Sequence, residues 1–112
     1  IYISTLILVL GGCSRYPAEN KIPAGLEAKA KVLMEKKKIG PLAVDELPEV
    51  IKQMDPKSVH LREEGLYIKL WKSFVEEGGL FIPKNKNDEY NRSTDPGYWK
   101  ANEGTYYYIF KG

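Results

Sequence analysis

Histidine and cysteine are almost missing from this 112-residue chain, which has one of each, His60 and Cys13. A single histidine cannot form a metal site from paired imidazoles, and a single cysteine has no disulfide partner within the chain. The formal net charge is only +2, whereas a protein that binds nucleic acid needs a strongly basic face. We therefore expect no metal, no cofactor and no nucleic-acid partner.

Long apolar runs are also lacking, apart from one at residues 1–10. Ten residues are too few for a membrane-spanning helix, which needs roughly 20. Leu10-Gly11-Gly12-Cys13 follows at once. A short apolar core followed by small residues is typical of a secretory signal peptide, because small side chains fit the peptidase site.

Leu10-Gly11-Gly12-Cys13 resembles the lipobox of bacterial lipoprotein precursors. The resemblance implies cleavage before Cys13, a diacylglyceryl group on its thiol, and acylation (for example by palmitate) of its freed amine. It also implies lipid anchoring in the bacterial envelope, and Ser14 is compatible with the outer membrane where such sorting exists. No Met or basic residue precedes the apolar run, so we expect the chain to begin part-way through the signal. The alternative is a buried N-terminal element in which Cys13 is an inert core thiol.

Three segments follow from this interpretation. Residues 1–12 are a truncated signal peptide, residues 13–25 are a tether with two prolines, and residues 26–112 are one domain. With its cysteine bound to lipid, the domain must be held together by packing alone. Eight Tyr, three Phe and two Trp are suited to this, because aromatic side chains bury large areas.

The patterning of the domain changes from helical to strand-like along the chain. Residues 26–38 are rich in helix formers and are predicted to form a helix that ends before Gly40-Pro41. Residues 45–54 are predicted to form a second helix, with Asp45 as its N-cap. From Ser58 apolar and polar residues alternate, with turns expected at 63–65, 76–79 and 102–104. The fold class predicted is α+β, with two N-terminal helices followed by an antiparallel meander of about four or five strands.

Catalytic residues are not evident in this sequence. His60 lies on the polar side of a predicted strand, where a surface role is expected, although one histidine oriented by a carboxylate can act as a general base. The pairs Glu63-Glu64 and Glu76-Glu77 are predicted in turns, where adjacent carboxylates are solvated. We therefore predict that the protein is not an enzyme.

Aromatic residues supply the candidate contacts for a ligand. Tyr67 and Trp71 are expected on one face of a strand, and Tyr98 and Trp99 are adjacent after a polar loop at 84–97. Large, stiff, amphipathic side chains suit binding surfaces. A sheet without disulfides needs the same residues for its core, and we expect packing to use the larger share of them.

The function expected from the sequence is that of a membrane-tethered lipoprotein that binds an envelope protein, peptide or glycan. Two alternatives remain, a structural or assembly lipoprotein and a small envelope enzyme that uses His60. Apart from the lipobox, the chain resembles no characterised family, so the resemblance implies a location and an anchor but no ligand.

Overall fold

The computed structural model describes residues 15–85 and 90–111. Within these ranges the chain forms a six-stranded antiparallel sheet in the order β1-β2-β3-β4-β6-β5. The same ranges contain two α-helices and two short 3-10 turns, so the α+β class is confirmed. The strands are β1 (Gly40–Leu42), β2 (Ser58–Arg62), β3 (Gly65–Lys72), β4 (Glu77–Pro83), β5 (Gly97–Asn102) and β6 (Thr105–Phe110), and the helices are α1 (Leu26–Lys36) and α2 (Glu49–Lys52).

Helix α1 covers one face of the sheet. Its buried stripe is Leu26, Ala30 and Leu33, the spacing that places side chains on one side of a helix. The helix ends at Lys36 because Lys37 is extended, with φ −105° and ψ 156°. The stripe packs on apolar residues of the central strands, namely Val59, Leu61, Leu66, Ile68, Leu80 and Ile82.

The opposite face of the sheet has its own aromatic core. Tyr67, Phe81, Tyr98 and Tyr108 are buried there, and Tyr90 from the loop after β4 packs on them. Rings in this group, together with the partly buried Tyr106, meet at centroid distances of 4.6 to 6.5 Å, the range of favourable aromatic pairs. The sheet is therefore packed on both faces, with α1 on one and a loop on part of the other.

The predicted order of two helices followed by a meander of four or five strands is wrong in detail. Gly40-Pro41, expected only to stop a helix, begins β1, which pairs with β2 through Gly40↔Leu61. A strand therefore precedes the second helix. The last strands are also out of sequence order, because β6 pairs with β4 and β5 lies outside β6.

The second helix is shorter than predicted and starts later. Asp45 lies in a 3-10 turn, Val44–Glu46, and Pro48 occupies the N-cap position of the four-residue helix α2. The reason is local, because a residue that precedes proline avoids the helical conformation. Leu47 is extended, with φ −91° and ψ 142°, and separates the two turns.

The hairpin predicted after Ser58 is confirmed, whereas the next turn is displaced from its predicted position. Strand β4 already begins at Glu77, so Gly78 and Gly79 pair within the sheet, and the turn is at 73–76. A Cβ on Gly79 would collide with the backbone carbonyl of Ile68. Glycine serves here for close strand approach and not for a turn.

Residues 15–25, expected as a tether, lie against the domain. Tyr16 makes edge-to-face contacts with Trp71, Trp99 and Tyr107 at centroid distances of 5.9, 5.2 and 5.3 Å. The Tyr107 hydroxyl donates a hydrogen bond of 2.6 Å to the carbonyl oxygen of Pro17. This segment therefore adds little length between Cys13 and the sheet.

Both outer strands are short or covered. Strand β1 has three residues and includes Pro41, which has no backbone N–H. At the other edge, the N–H of Tyr98 in β5 donates a hydrogen bond of 2.9 Å to the carbonyl oxygen of Asn91. Among the helices in the described ranges, none has the length and apolar character needed to cross a bilayer.

Candidate functional site

A small cavity of about 120 Å³ opens on the sheet face opposite α1. Its floor is formed by strands β2, β3 and β4, and its far wall by the loop before β5 together with the end of β6. Both aromatic and charged side chains line it. The lining residues are His60, Arg62, Glu64, Tyr67, Lys69, Glu77, Pro96, Tyr108 and Phe110.

Strand register brings these residues together. His60 is opposite Tyr67, and Ser58 is opposite Lys69, in the antiparallel pair of β2 and β3. Because side chains alternate along a strand, His60 and Arg62 share a face, as do Tyr67 and Lys69. The same alternation sends Val59, Leu61, Leu66 and Ile68 to the α1 face.

A chain of hydrogen bonds fixes the floor of the cavity. The Tyr67 hydroxyl donates to the Glu64 carboxylate at 2.8 Å and lies 2.6 Å from the Tyr98 hydroxyl. Because the Tyr67 proton is directed to Glu64, the Tyr98 hydroxyl is the donor between the two phenols. Burial is the main cause that raises the pKa of both Tyr67 and Tyr98, so both remain neutral near pH 7.

Charges around the cavity are balanced. The Lys69 ammonium is 3.2 Å from the Glu77 carboxylate, with side-chain exposures of 16% and 28%. The Arg62 guanidinium lies 5.6 Å from the centroid of the Tyr67 ring, within cation–π range. Since Glu64 is the second carboxylate, two positive and two negative groups surround the opening.

His60 is partly buried at the side of this cavity. Burial lowers the pKa of its imidazole, and the neighbouring cations Lys69 and Arg62 lower it further. A neutral imidazole can accept a proton. Within residues 15–85 and 90–111, however, no hydrogen bond to a carboxylate orients the ring as a general base requires.

The four predicted ligand contacts are mostly packing residues. Tyr67 and Tyr98 are each 6% exposed, Trp71 is 7% exposed, and Trp99 is partly buried. Of the four, Tyr67 alone lines the cavity. The expectation that Tyr67 and Trp71 share a face is wrong, because a bulge between Lys69 and Trp71 places Trp71 opposite Gly78.

Arg62, Lys69, Glu77 and Pro96 were not recognised as site residues from the sequence. The alternation that placed His60 on a polar face applies equally to Arg62 and Lys69, so that signal was present. Pro96 gave no signal, because its approach to β2 depends on the path of the loop before β5. Sequence spacing alone cannot supply that path.

The lipidated cysteine is the remaining predicted site residue. No group of three or more His, Cys, Asp or Glu side chains is arranged to hold a metal ion in the part of the chain that the structure describes. Cys13 lies outside the described residues. No family model, curated protein or solved structure matches the chain.

Proposed function

We propose that this chain is a bacterial envelope lipoprotein, anchored through lipid on Cys13, that binds a protein or peptide through the cavity beside His60. The observation that carries the binding proposal is the convergence of Arg62, Lys69 and Glu77 around an opening with an aromatic floor. Ligand sites combine such an apolar surface with a few placed polar groups.

The size of the cavity supports an inserted side chain as its occupant. Sites for free small molecules enclose roughly 300–1,000 Å³, and this cavity has about 120 Å³. A volume of that order accommodates one side chain, while the rest of the partner would rest on the surrounding surface. Phe110, which is 39% exposed, and Pro96 supply an apolar border for it.

The charge pattern favours a peptide over a glycan. Arg62 is complementary to a carboxylate and Glu64 to a cation, and both lie beside the Lys69–Glu77 ion pair. Peptide side chains and termini provide both signs within a few ångströms. A neutral glycan has no charge to match them, so charge complementarity would add nothing to its recognition.

The anchor is supported by Leu10-Gly11-Gly12-Cys13 and by the apolar run before it. Intact mass spectrometry of the mature protein tests it, with an expected chain that starts at Cys13 and has the added mass of a diacylglyceryl group. A Cys13→Ala chain should be unprocessed and unmodified. A free thiol in a chain that retains residues 1–12 would exclude the anchor.

Site-directed photo-crosslinking in intact cells tests the cavity. A photoreactive amino acid at Phe110, in the wall of the cavity, should give a protein adduct of defined mass. The same amino acid at Val32, which is 44% exposed on α1, is the control and should not. The partner is identified by mass spectrometry of the adduct.

Charge reversal then shows whether the adduct depends on the cavity. Arg62→Glu should abolish it, and the matched reversal Lys52→Glu, at an exposed lysine of α2, should leave it unchanged. An adduct that contains glycan, or one that is indifferent to Arg62→Glu, would contradict peptide recognition.

A structural or assembly lipoprotein is the second candidate, and one observation favours it. Trp71 is buried and Trp99 is partly buried, so the largest aromatic side chains are used within the domain. If the crosslinker at Phe110 captures nothing while the envelope of a strain without this protein is weakened, the structural role is preferred.

A further inference from the structure

The turn between β3 and β4 exposes two adjacent apolar side chains. Phe74 is 99% exposed and Val75 is 64% exposed. Tight turns favour Gly, which allows unusual backbone angles, and Asn, Asp and Ser, whose side chains form hydrogen bonds with the nearby backbone. A single exposed apolar residue is ordinary. A fully exposed Phe beside an exposed Val at a turn instead indicates a surface that contacts another molecule. We call residues 73–76 the tip.

Hydrogen bonds within the turn hold the tip in a defined conformation. The N–H of Ser73 donates to the carbonyl oxygen of Glu76 at 2.8 Å, and the N–H of Glu76 donates to the Ser73 hydroxyl at 3.2 Å. Phe74 and Val75 are therefore presented by a closed turn at the end of two paired strands. Little backbone conformational entropy therefore remains to be lost when they meet a partner.

The N-terminal segment reaches the domain at the same end of the sheet. The Arg15 guanidinium lies 4.2 Å from the centroid of the Trp71 ring. Trp71 and Gly78 are opposite each other in the register of β3 and β4, one pair before the turn. A Cβ on Gly78 would meet the hydroxyl of Tyr16. Arg15 and Tyr16 therefore lie beside the base of the tip.

The proposed anchor must lie close to this end as well. Cys13 precedes Arg15 by two residues, and two residues of fully extended chain span at most about 7 Å. Acyl chains on Cys13 would thus enter a bilayer within a short distance of the tip. Any longer separation would require Tyr16 to leave its contacts with Trp71, Trp99 and Tyr107.

The charges at this end permit contact with lipid head groups. Lys72 and Lys111 are exposed beside the tip. The Glu77 carboxylate is paired with Lys69, and the Asp95 carboxylate accepts a hydrogen bond from the N–H of Lys111 at 2.8 Å. Three cations, Arg15, Lys72 and Lys111, therefore lie at this end of the sheet, and the tip itself contains one carboxylate, that of Glu76. Apolar side chains together with an excess of cations suit an interfacial membrane-binding surface.

We infer that the Phe74-Val75 tip inserts into the lipid surface to which Cys13 is anchored, and so holds the domain upright on the membrane. The inference rests on the anchor proposed above. Its occupant is the acyl boundary of a phospholipid bilayer. The strands then run away from the membrane, and the cavity beside His60 faces sideways, where a partner in the same envelope compartment can reach it.

A thiol-specific probe tests the insertion in the mature, lipidated protein. Lipid blocks the thiol of Cys13, so an introduced cysteine is the single reactive thiol. Val75→Cys places a fluorophore at the tip with Phe74 intact. Ile39→Cys, at an exposed residue before β1 at the opposite end of the sheet, is the control. Each protein is reconstituted in phosphatidylcholine vesicles with and without bromine on the acyl chains.

Brominated acyl chains should quench the fluorophore at position 75 and leave that at position 39 unaffected. Adding Phe74→Ser to Val75→Cys should reduce the inserted-to-free ratio of the tip about tenfold or more, because burial of a Phe side chain is worth at least that factor. The melting temperature should not change, since the Phe74 side chain is 99% exposed.

The intact mass of each sample separates the two proposals. A diacylglyceryl mass together with equal quenching at both positions would overturn insertion and leave the anchor standing. A chain without that mass would overturn the anchor, and with it the insertion that depends on it. Quenching at position 75 that survives Phe74→Ser would overturn the role of Phe74.

Discussion

The hydroxyl of Tyr16 donates a hydrogen bond of 2.9 Å to the backbone carbonyl oxygen of Tyr108, across 92 residues of sequence. This bond joins the start of the described chain to its last strand. Burial raises the pKa of Tyr16, so the phenol remains a neutral donor over the physiological range. Residues 15–25 are therefore part of the folded domain in energetic terms, and their removal should weaken it.

Substitution of Tyr16 should lower the free energy of unfolding. We expect Tyr16→Phe to cost about 1 kcal/mol through loss of the hydrogen bond, and Tyr16→Ala about 2–3 kcal/mol because three aromatic contacts are also lost. Urea denaturation followed by tryptophan fluorescence measures both. Asn20→Ala, at an exposed residue of the same segment, should have little effect, and equal midpoints for all variants would show that the segment does not stabilise the sheet.

Gly79 should not tolerate even a methyl group. Its Cβ would collide with the carbonyl oxygen of Ile68, which is backbone in the neighbouring strand. We expect Gly79→Ala to cost roughly 1–3 kcal/mol or more, as overpacking does. At Gly104 the three atoms nearest to the added methyl all belong to the carboxylate of Glu27, which is the end of a flexible side chain. Gly104→Ala should therefore cost less, and thermal denaturation of the two variants compares them.

The two phenols under the cavity should contribute unequally to stability. The Tyr67 hydroxyl donates to Glu64 and accepts from Tyr98, so Tyr67→Phe breaks two hydrogen bonds and leaves the Tyr98 hydroxyl without its acceptor. Tyr98→Phe breaks one. We expect about 1–3 kcal/mol for the first and about 1 kcal/mol for the second, measured by chemical denaturation.

The double variant Tyr67→Phe, Tyr98→Phe should be no less stable than Tyr67→Phe alone, because the bond between the phenols is already lost there. Simple addition of the two single losses would mean that the phenols act independently.

His60 should make stability fall at mildly acidic pH. Its pKa in the fold is below the ordinary value of 6.5, so below pH 6.5 the unfolded chain takes up the proton first and unfolding is favoured. The stability that depends on a neutral His60 is fully present above pH 6.5 and is lost as the pH falls through the lower pKa of His60 in the folded state. His60→Gln should remove this part of the pH dependence, and urea midpoints between pH 5 and 8 should then diverge from wild type on the acid side. Parallel curves would contradict it.

Local patterning predicted the parts of the fold that depend on neighbouring residues. The hairpin of β2 and β3 followed from strict alternation around a turn at Glu63-Glu64. Strand β1 did not, because Gly40-Pro41-Leu42 has no alternation and pairs only when β2 is present beside it. The class was therefore accessible from sequence, and the number and order of strands were not.

The candidate site was harder to predict from the sequence than the fold class, for reasons that two residues illustrate. Trp71 lies on the face of the sheet opposite to the predicted one because of a bulge after Lys69, which the local sequence does not indicate. Pro96 reached the cavity because Tyr90 fixes the preceding loop on the aromatic core, through ring contacts with Phe81 and Tyr98. Both are tertiary effects, whereas His60 and Tyr67 were placed correctly by alternation alone.

The outer strands of the sheet affect how copies of the protein can pair with one another. An unpaired strand edge is a template for joining copies of a protein into a growing sheet. Pro41 offers no N–H at one edge, and Asn91 occupies the N–H of Tyr98 at the other. At these two positions the outer strands cannot donate a hydrogen bond to another strand, which disfavours edge-to-edge joining of copies.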